Sequence, residues 1–204
     1  MVENTLYQYK SRRNRVCLLK TDGGLLVIKQ YLQELACHRE LLIYEKLRDS
    51  SLPHAELIWV RGNTICLTCL PGKTLLEVLE AQEASGCVEE TVWRKLADWL
   101  VRFSDTTEFV MTDVNLRNFL WEEEKKTIYG LDFEECAEGD LITTATRLAA
   151  YIRTYAPEET PVKQEIARIV LEEFSRHLGI DMQRLFLETE KQEVRLKQRR
   201  TGRT

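Results

Sequence analysis

The chain has 204 residues, enough for one generous domain or one domain in two parts, and its 44% apolar and 30% charged content is that of a soluble globular protein. No apolar run approaches the ~20 residues of a membrane span, Met1-Val2-Glu3-Asn4 shows no secretory pattern, and a net charge of −4 argues against general nucleic-acid binding. Six cysteines, at positions 17, 37, 66, 69, 87 and 136, are scattered through apparent strands and helices, which predicts reduced, mostly buried thiols and a cytoplasmic location.

Three strands are predicted at 5–10, 15–20 and 25–31. They are separated by Ser11-Arg12-Arg13-Asn14 and Thr21-Asp22-Gly23-Gly24, both good turn chemistry. The third strand, Leu25-Leu26-Val27-Ile28-Lys29, ends on a lysine that is either a solvated strand end or a group placed to neutralise phosphates. The first turn, Lys10-Ser11-Arg12-Arg13-Asn14-Arg15, has no G-x-G-x-x-G pattern. A glycine loop works by close approach of backbone N–H groups to phosphate. A Ser/Arg turn either substitutes charge and hydroxyl donors or is a plain hairpin tip.

A helix is predicted over 32–48, with Ala36, Ile43 and Leu47 on one stripe and Glu40 inside it. A carboxylate on an inward face needs a partner. Lys29 on the preceding strand is the first candidate for it, and Glu45 ranks second to Glu40 as the acid of that pair. His38 and His54 have no metal-like companions. Residues 55–60 and 64–70 read as a hairpin around Arg61-Gly62-Asn63. Pro71-Gly72 follows, and Thr74 with Glu77 forms a capping box that starts a helix running to about residue 84. Cys66-Leu67-Thr68-Cys69 lacks the second pair that a zinc site wants, so none is expected.

Residues 89–105 form an amphipathic helix with Val92, Leu96, Trp99, Leu100 and Phe103 on its core side. Then come Met111-Thr112-Asp113-Val114-Asn115-Leu116-Arg117-Asn118-Phe119-Leu120-Trp121 and Ile128-Tyr129-Gly130-Leu131-Asp132-Phe133. This pattern is a loop, a short strand, a charged turn over 122–126, a second strand and an acid. It sets Asp113, Asn118 and Asp132 near one another. Mg·ATP phosphoryl transfer needs such a set: one carboxylate to orient or deprotonate a hydroxyl, and an amide and a carboxylate to hold Mg²⁺. Asp and Asn also bond their own backbone in turns, so the trio alone fits a structural hairpin too. Further helices are predicted at 141–155, capped by Asp140, from Thr160-Pro161 to Gly179, and from Asp181 to about Gln198. The basic tail at 197–203 is expected to fray.

Strand-lysine, helix-glutamate, Leu67-Thr68-Cys69-Leu70-Pro71-Gly72, D-x-x-x-x-N and L-D-F follow in that order between residues 5 and 150. In this the chain resembles the protein-kinase-like superfamily. It looks closest to the aminoglycoside/choline phosphotransferases and to compact bacterial lipopolysaccharide-type and RIO-like kinases. The resemblance implies an α+β, two-lobed fold. Residues 1–70 would be a small antiparallel sheet lobe with one helix, and 71–204 a mainly helical lobe carrying the catalytic hairpin. It implies ATP and Mg as cofactors. Lys29 would hold nucleotide phosphates and Glu40 would orient it. Backbone near Thr68, Cys69 and Leu70 would meet adenine. Asp113 would be the base, Asn118 and Asp132 the magnesium ligands, and Arg117 a support for phosphate charge. The function implied is transfer of the γ-phosphate to a hydroxyl of a small molecule or glycan. A nucleotide-binding or protein-interaction module without turnover and an atypical Ser/Thr protein kinase are the alternatives. The departures are the missing glycine loop, a short second lobe, and Met111-Thr112 where such families place histidine followed by glycine or arginine. An unrelated α+β interaction domain would leave Lys29, Asp113 and Asp132 apart in space.

Overall fold

The computed structural model describes residues 5–9, 11 and 13–202. Lys10, Arg12 and Arg203, on which parts of the strand, turn and tail expectations fell, lie outside the described residues. The fold is α+β. Strands β1 (Thr5–Tyr9), β2 (Asn14–Thr21) and β3 (Gly24–Tyr31) lead into helix α1 (Glu34–Leu47). Strands β4 (Leu57–Arg61) and β5 (Thr64–Thr68) complete an antiparallel sheet in the order β1-β2-β3-β5-β4. The turns are the predicted ones. The Thr21 hydroxyl donates to the Gly24 carbonyl at 2.9 Å. Gly62, with φ +53, makes the left-handed turn between β4 and β5 that favours glycine. The register makes β3 the middle strand, with Lys29 opposite Val16 on β2 and Ile65 on β5.

Helix α1 buries Cys37, Glu40, Ile43, Tyr44 and Leu47, an i, i+3, i+4, i+7 stripe. Ala36, expected on that stripe, is only half-buried, because the stripe turns about one residue further round to seat Cys37 and Tyr44. The helix packs on β3, on the 3-10 turn Phe133–Glu135 and on the later helix over Glu90–Thr107.

From β5 the chain passes through Pro71-Gly72 to a short strand β6 (Lys73–Thr74) and helix α2 (Leu75–Ser85). The capping box is complete: Thr74 Oγ1 accepts from the Glu77 N–H, and the Glu77 carboxylate accepts from the Thr74 N–H at 2.7 Å. Gly72 has φ +114, and a Cβ there would sit 2.5 Å from the Trp121 carbonyl oxygen. Only glycine lets this connection lie flat on the hairpin that follows. Helix α3 (Glu90–Thr107) buries all five predicted core residues. After it come β7 (Val110–Met111), the hairpin β8 (Phe119–Glu122) and β9 (Thr127–Gly130), and β10 (Cys136–Ala137), which pairs with β7. Strand β6 pairs with β8, so the connection is hydrogen-bonded to the hairpin.

Helices α4 (Leu141–Thr154), α5 (Pro161–Leu178) and α6 (Met182–Thr201) finish the chain. Asp140, Thr160 and Asp181 cap them as expected, and Gly179 closes α5 at φ +64. Helix α4 packs on α5 and α6, and α3 on α5. Helix α6 runs past its expected end near Gln198 to Thr201, with Lys197 Nζ 3.0 Å from the Glu158 carboxylate. Three of the six cysteines are buried (37, 66 and 136), two are half-buried and Cys87 is exposed, so the thiols are less buried than expected. Among the described residues no helix is long and apolar enough to cross a membrane.

The core is an aromatic cluster under the hairpin. Trp99 stacks on Phe103 at 5.2 Å, Phe103 on Phe133 at 5.5 Å, and Tyr44 of α1 meets Phe133 edge-on at 5.4 Å. Gly130 has no room for a side chain, since a Cβ would lie 2.2 Å from Trp99. Phe133 is fully buried, and truncating such a residue costs roughly 3–5 kcal/mol. That anchor fixes its neighbour, Asp132.

Candidate functional site

Lys29 and Tyr31 lie two apart on β3 and so share a face, which α1 covers. Lys29 Nζ is 2.6 Å from Glu40 Oε2, is paired with Asp132 Oδ1, and lies 3.5 Å from Glu134 Oε2. The Tyr31 hydroxyl donates to the same Glu40 oxygen at 2.6 Å. The Lys29 side chain is 8% exposed and that of Glu40 1%, so the solvated strand end is excluded. Glu45, second in rank, is exposed on the other side of the helix.

Burial by itself would lower the Lys29 pKa, but Glu40 and Asp132, by charge and by hydrogen bonds, hold it above the ordinary lysine range. Burial pushes the Glu40 carboxyl up; Lys29 pulls it down, and Asp132 pushes it up again. Lys29 is therefore an ammonium at neutral pH, with more negative than positive charge around it. A buried pair contributes little net stability compared with apolar packing, whereas removing one partner costs roughly 3–5 kcal/mol.

Asp132 adopts a left-handed backbone, φ +61, uncommon for a residue other than glycine. Its side chain is 43% exposed, so it presents an open side while Lys29 covers the other. One residue earlier, the Leu131 N–H donates to the Asn118 carbonyl at 2.8 Å. Asn118 Nδ2 in turn donates to the Asp113 carbonyl at 3.1 Å. These bonds join the two ends of the hairpin. Burial pushes the Asp113 carboxyl up, a hydrogen bond from Asn118 opposes that, and the Asp132 charge adds to it. Lys29, Glu40 and Asp132 are thus in direct contact, and Asp113 and Asn118 adjoin them.

The loop that carries Asp113 has supports that the sequence did not reveal. Arg147 of α4 donates from Nη1 to the Thr112 carbonyl at 2.6 Å, and the Thr112 hydroxyl donates to the Glu135 carbonyl. Tyr155, at the end of α4, accepts from the Leu116 N–H at 3.2 Å and donates to Asn115 Oδ1 at 3.0 Å. Asn115 Oδ1 also accepts from the Arg117 N–H. Thr112, Arg147 and Tyr155 thus brace the loop that carries Asp113. Nothing local flags these bonds, which span 23 to 40 residues of sequence.

Glu134 was also missed. It is buried, accepts from Asn14 Nδ2, and pairs with Arg13 at 3.8 Å. Carboxylate oxygens of Glu40, Asp132 and Glu134 lie within 4.8 Å of one another. The only sequence signal was the doubled acid after L-D-F.

Of the three residues expected to meet adenine, two have their amides engaged: Thr68 N–H donates to the Glu56 carbonyl at 3.0 Å and Cys69 N–H to the Leu25 carbonyl at 3.2 Å. The Leu70 amide makes no bond among the described residues. Arg117 is exposed on the 3-10 turn Leu116–Asn118 and joins no ion pair among the described residues. The donor set suits a hard cation such as Mg²⁺, which takes carboxylate and amide oxygens. Asp132 is partly open, and the bond from Asn118 Nδ2 leaves Oδ1 as the free donor atom of that side chain. Compared with known proteins, the chain matches no family model and no curated protein.

Proposed function

We propose that the protein is an ATP- and Mg²⁺-dependent phosphotransferase that moves the γ-phosphate to a hydroxyl of a small molecule or glycan, a small kinase-like fold in which residues 1–70 and 71–204 are the two lobes. The observation that carries this reading is the Lys29 ammonium, buried between Glu40 of α1 and Asp132, more than 100 residues away. A lysine kept charged in a place shielded from water, by acids from two distant stretches, is preorganised for a polyanion. In this reading Lys29 neutralises phosphate oxygens while Glu40 and Tyr31 hold it in place. Leu70 offers its amide to adenine, and Arg117 is an exposed cation on the loop.

Asp113 accepts the proton of the acceptor hydroxyl as that oxygen bonds to the γ-phosphorus. The bond from this phosphorus to the β–γ bridging oxygen breaks, and its electron pair leaves with ADP. The half-buried, raised carboxyl of Asp113 suits a base better than a solvated aspartate does. Asn118 and Asp132 would hold Mg²⁺, which supplies charge neutralisation for the phosphates when bound.

One observation favours a second reading, a nucleotide-binding module without turnover: Lys29 already occupies an oxygen of Asp132. Melting temperature against Mg·ATP, for the wild type and Asp132→Ala, tests both. A ligand at 100 times its Kd adds about 2.7 kcal/mol. The expected result is a magnesium-dependent shift that Asp132→Ala abolishes. Asp113→Asn should keep the shift and lose roughly 10²- to 10⁴-fold in phosphate transfer or ATP consumption. A shift without turnover in the wild type selects the second reading. No shift at millimolar nucleotide removes both.

A further inference from the structure

The turn between β1 and β2 reaches across to the segment that follows Asp132, and it does so with side chains. Ser11 Oγ accepts from the Asn14 N–H at 3.1 Å and from the Arg13 N–H at 3.4 Å. Those amides are closed onto a hydroxyl of their own turn, so the described residues of the turn form no backbone nest for an anion. Asn14 is buried, and its Nδ2 donates to Glu134, whose other oxygen lies 3.8 Å from Arg13. Arg13 also pairs with Glu135, and its own side chain stays 64% exposed. Glu134 is therefore shared between Arg13 on its outer side and Lys29, 3.5 Å away, on its inner side. Burial raises the Asp113 carboxyl, and the charge of Arg13 is a minor opposing influence on it.

A guanidinium thus shares the Glu134 carboxylate with the lysine assigned to the phosphates. In the reaction proposed above the terminal phosphate lies beside that lysine, within reach of a side chain that shares its carboxylate partner. We propose that Arg13 contacts the terminal phosphate of the nucleotide, supplying by a side-chain fork what a glycine loop supplies by backbone N–H groups. Glu134 and Asn14 are positioning residues that hold the turn beside Lys29. Glu135 is the partner that Arg13 releases when phosphate arrives. This rests on the phosphotransferase reading.

The experiment is calorimetric titration, in Mg²⁺, of the β,γ-imido analogue of ATP and of ADP into wild type, Arg13→Ala, Arg13→Lys and Glu135→Gln. Arg13→Ala should weaken the triphosphate analogue about ten- to hundred-fold while ADP changes less than about two-fold. Arg13→Lys, which keeps the charge and loses the fork, should fall between. Glu135→Gln should leave analogue binding unchanged or tighter, since it frees the guanidinium. If Arg13→Ala weakens both nucleotides equally, or if Glu135→Gln weakens the analogue as much as Arg13→Ala does, Arg13 only ties the turn down and the inference is overturned. A wild type that binds neither nucleotide overturns the phosphotransferase reading and this inference with it. Wild-type binding with an unaltered analogue-to-ADP ratio in Arg13→Ala overturns the inference alone.

Discussion

Among the described residues two lysines are buried, Lys29 in the sheet and Lys163 in the helical part, and each faces a glutamate at nearly the same distance. Lys29 Nζ is 2.6 Å from Glu40, and Lys163 Nζ is 2.7 Å from Glu83. Their surroundings differ. Lys163 also donates to the Pro157 carbonyl at 2.6 Å, and the other oxygen of Glu83 accepts from the Thr160 hydroxyl. One positive and one negative charge meet there, and both glutamate oxygens are bonded. Around Lys29 stand three carboxylates, one of them Asp132 with an open side. A buried ion pair by itself is therefore a poor sign of chemistry. Uncompensated charge beside an accessible carboxylate is a better one.

The largest effect that would break this comparison comes from Lys29→Met beside Lys163→Met. Each leaves a shielded carboxylate, the buried Glu40 or the half-buried Glu83, without its lysine, at a cost of up to roughly 3–5 kcal/mol. Chemical denaturation should show similar losses for the two. Stabilisation by Mg·ATP should vanish in Lys29→Met and persist in Lys163→Met at a temperature where both are folded. Loss of the nucleotide effect in both would mean that the two pairs do not differ in the way proposed.

The pH dependence of stability separates them next. Burial would raise the Glu83 carboxyl, but hydrogen bonds from Lys163 and Thr160 outweigh it and hold the group below its ordinary value of 4.5. A depressed carboxyl contributes stability that is present above the unfolded pKa and is lost as pH falls through the folded one. Wild type should therefore lose stability below about pH 4.5, over a window that ends under the lowered pKa of Glu83. Glu83→Gln should start less stable at pH 7 and flatten that acid limb. Equally steep acid limbs, measured by urea denaturation from pH 7 to 3, would show that Glu83 is not among the groups that set it.

What the sequence made legible follows the same division. Local signals reached most elements: Thr74 with Glu77, Thr160 with Pro161, Gly179, and the turns at 21–24 and 61–63 announce themselves within a few residues. The Lys29–Glu40 pair was legible because strand and helix periodicity put both on inward faces only 11 residues apart. The aromatic stripe of α3 was legible for the same reason. Glu83 with Lys163, 80 residues apart, was not, and neither were Glu134 with Asn14, or Arg147 and Tyr155 with the Asp113 loop. Long-range side-chain bonds leave no periodicity behind. The spare amide at Leu70 was hidden too, because which backbone groups stay free is decided by strand register.

The smallest predicted effect divides the helical part itself. Lys163 is read as structural, yet Tyr155, a few residues before it in the chain, is hydrogen-bonded to Leu116 and Asn115, inside the segment from Asp113 to Asn118. Burial pushes its hydroxyl up to about 12, so it is a neutral donor at any working pH. Tyr155→Phe removes one acceptor and one donor from the loop without opening a cavity, and should cost about 1 kcal/mol in stability. A loop that holds a base has little tolerance for displacement, because reacting groups must lie within a few tenths of an ångström of their productive positions. Phosphate transfer should then fall several-fold in kcat with KM for ATP unchanged, since the nucleotide contacts proposed for Lys29 and Leu70 are untouched. Lys163→Met should show the converse, a large loss of stability with kcat preserved in the folded fraction. If Tyr155→Phe loses stability with no change in kcat, the hydroxyl is packing support of the same kind as Thr160, and the line between structure and site moves back from α4 to the hairpin itself.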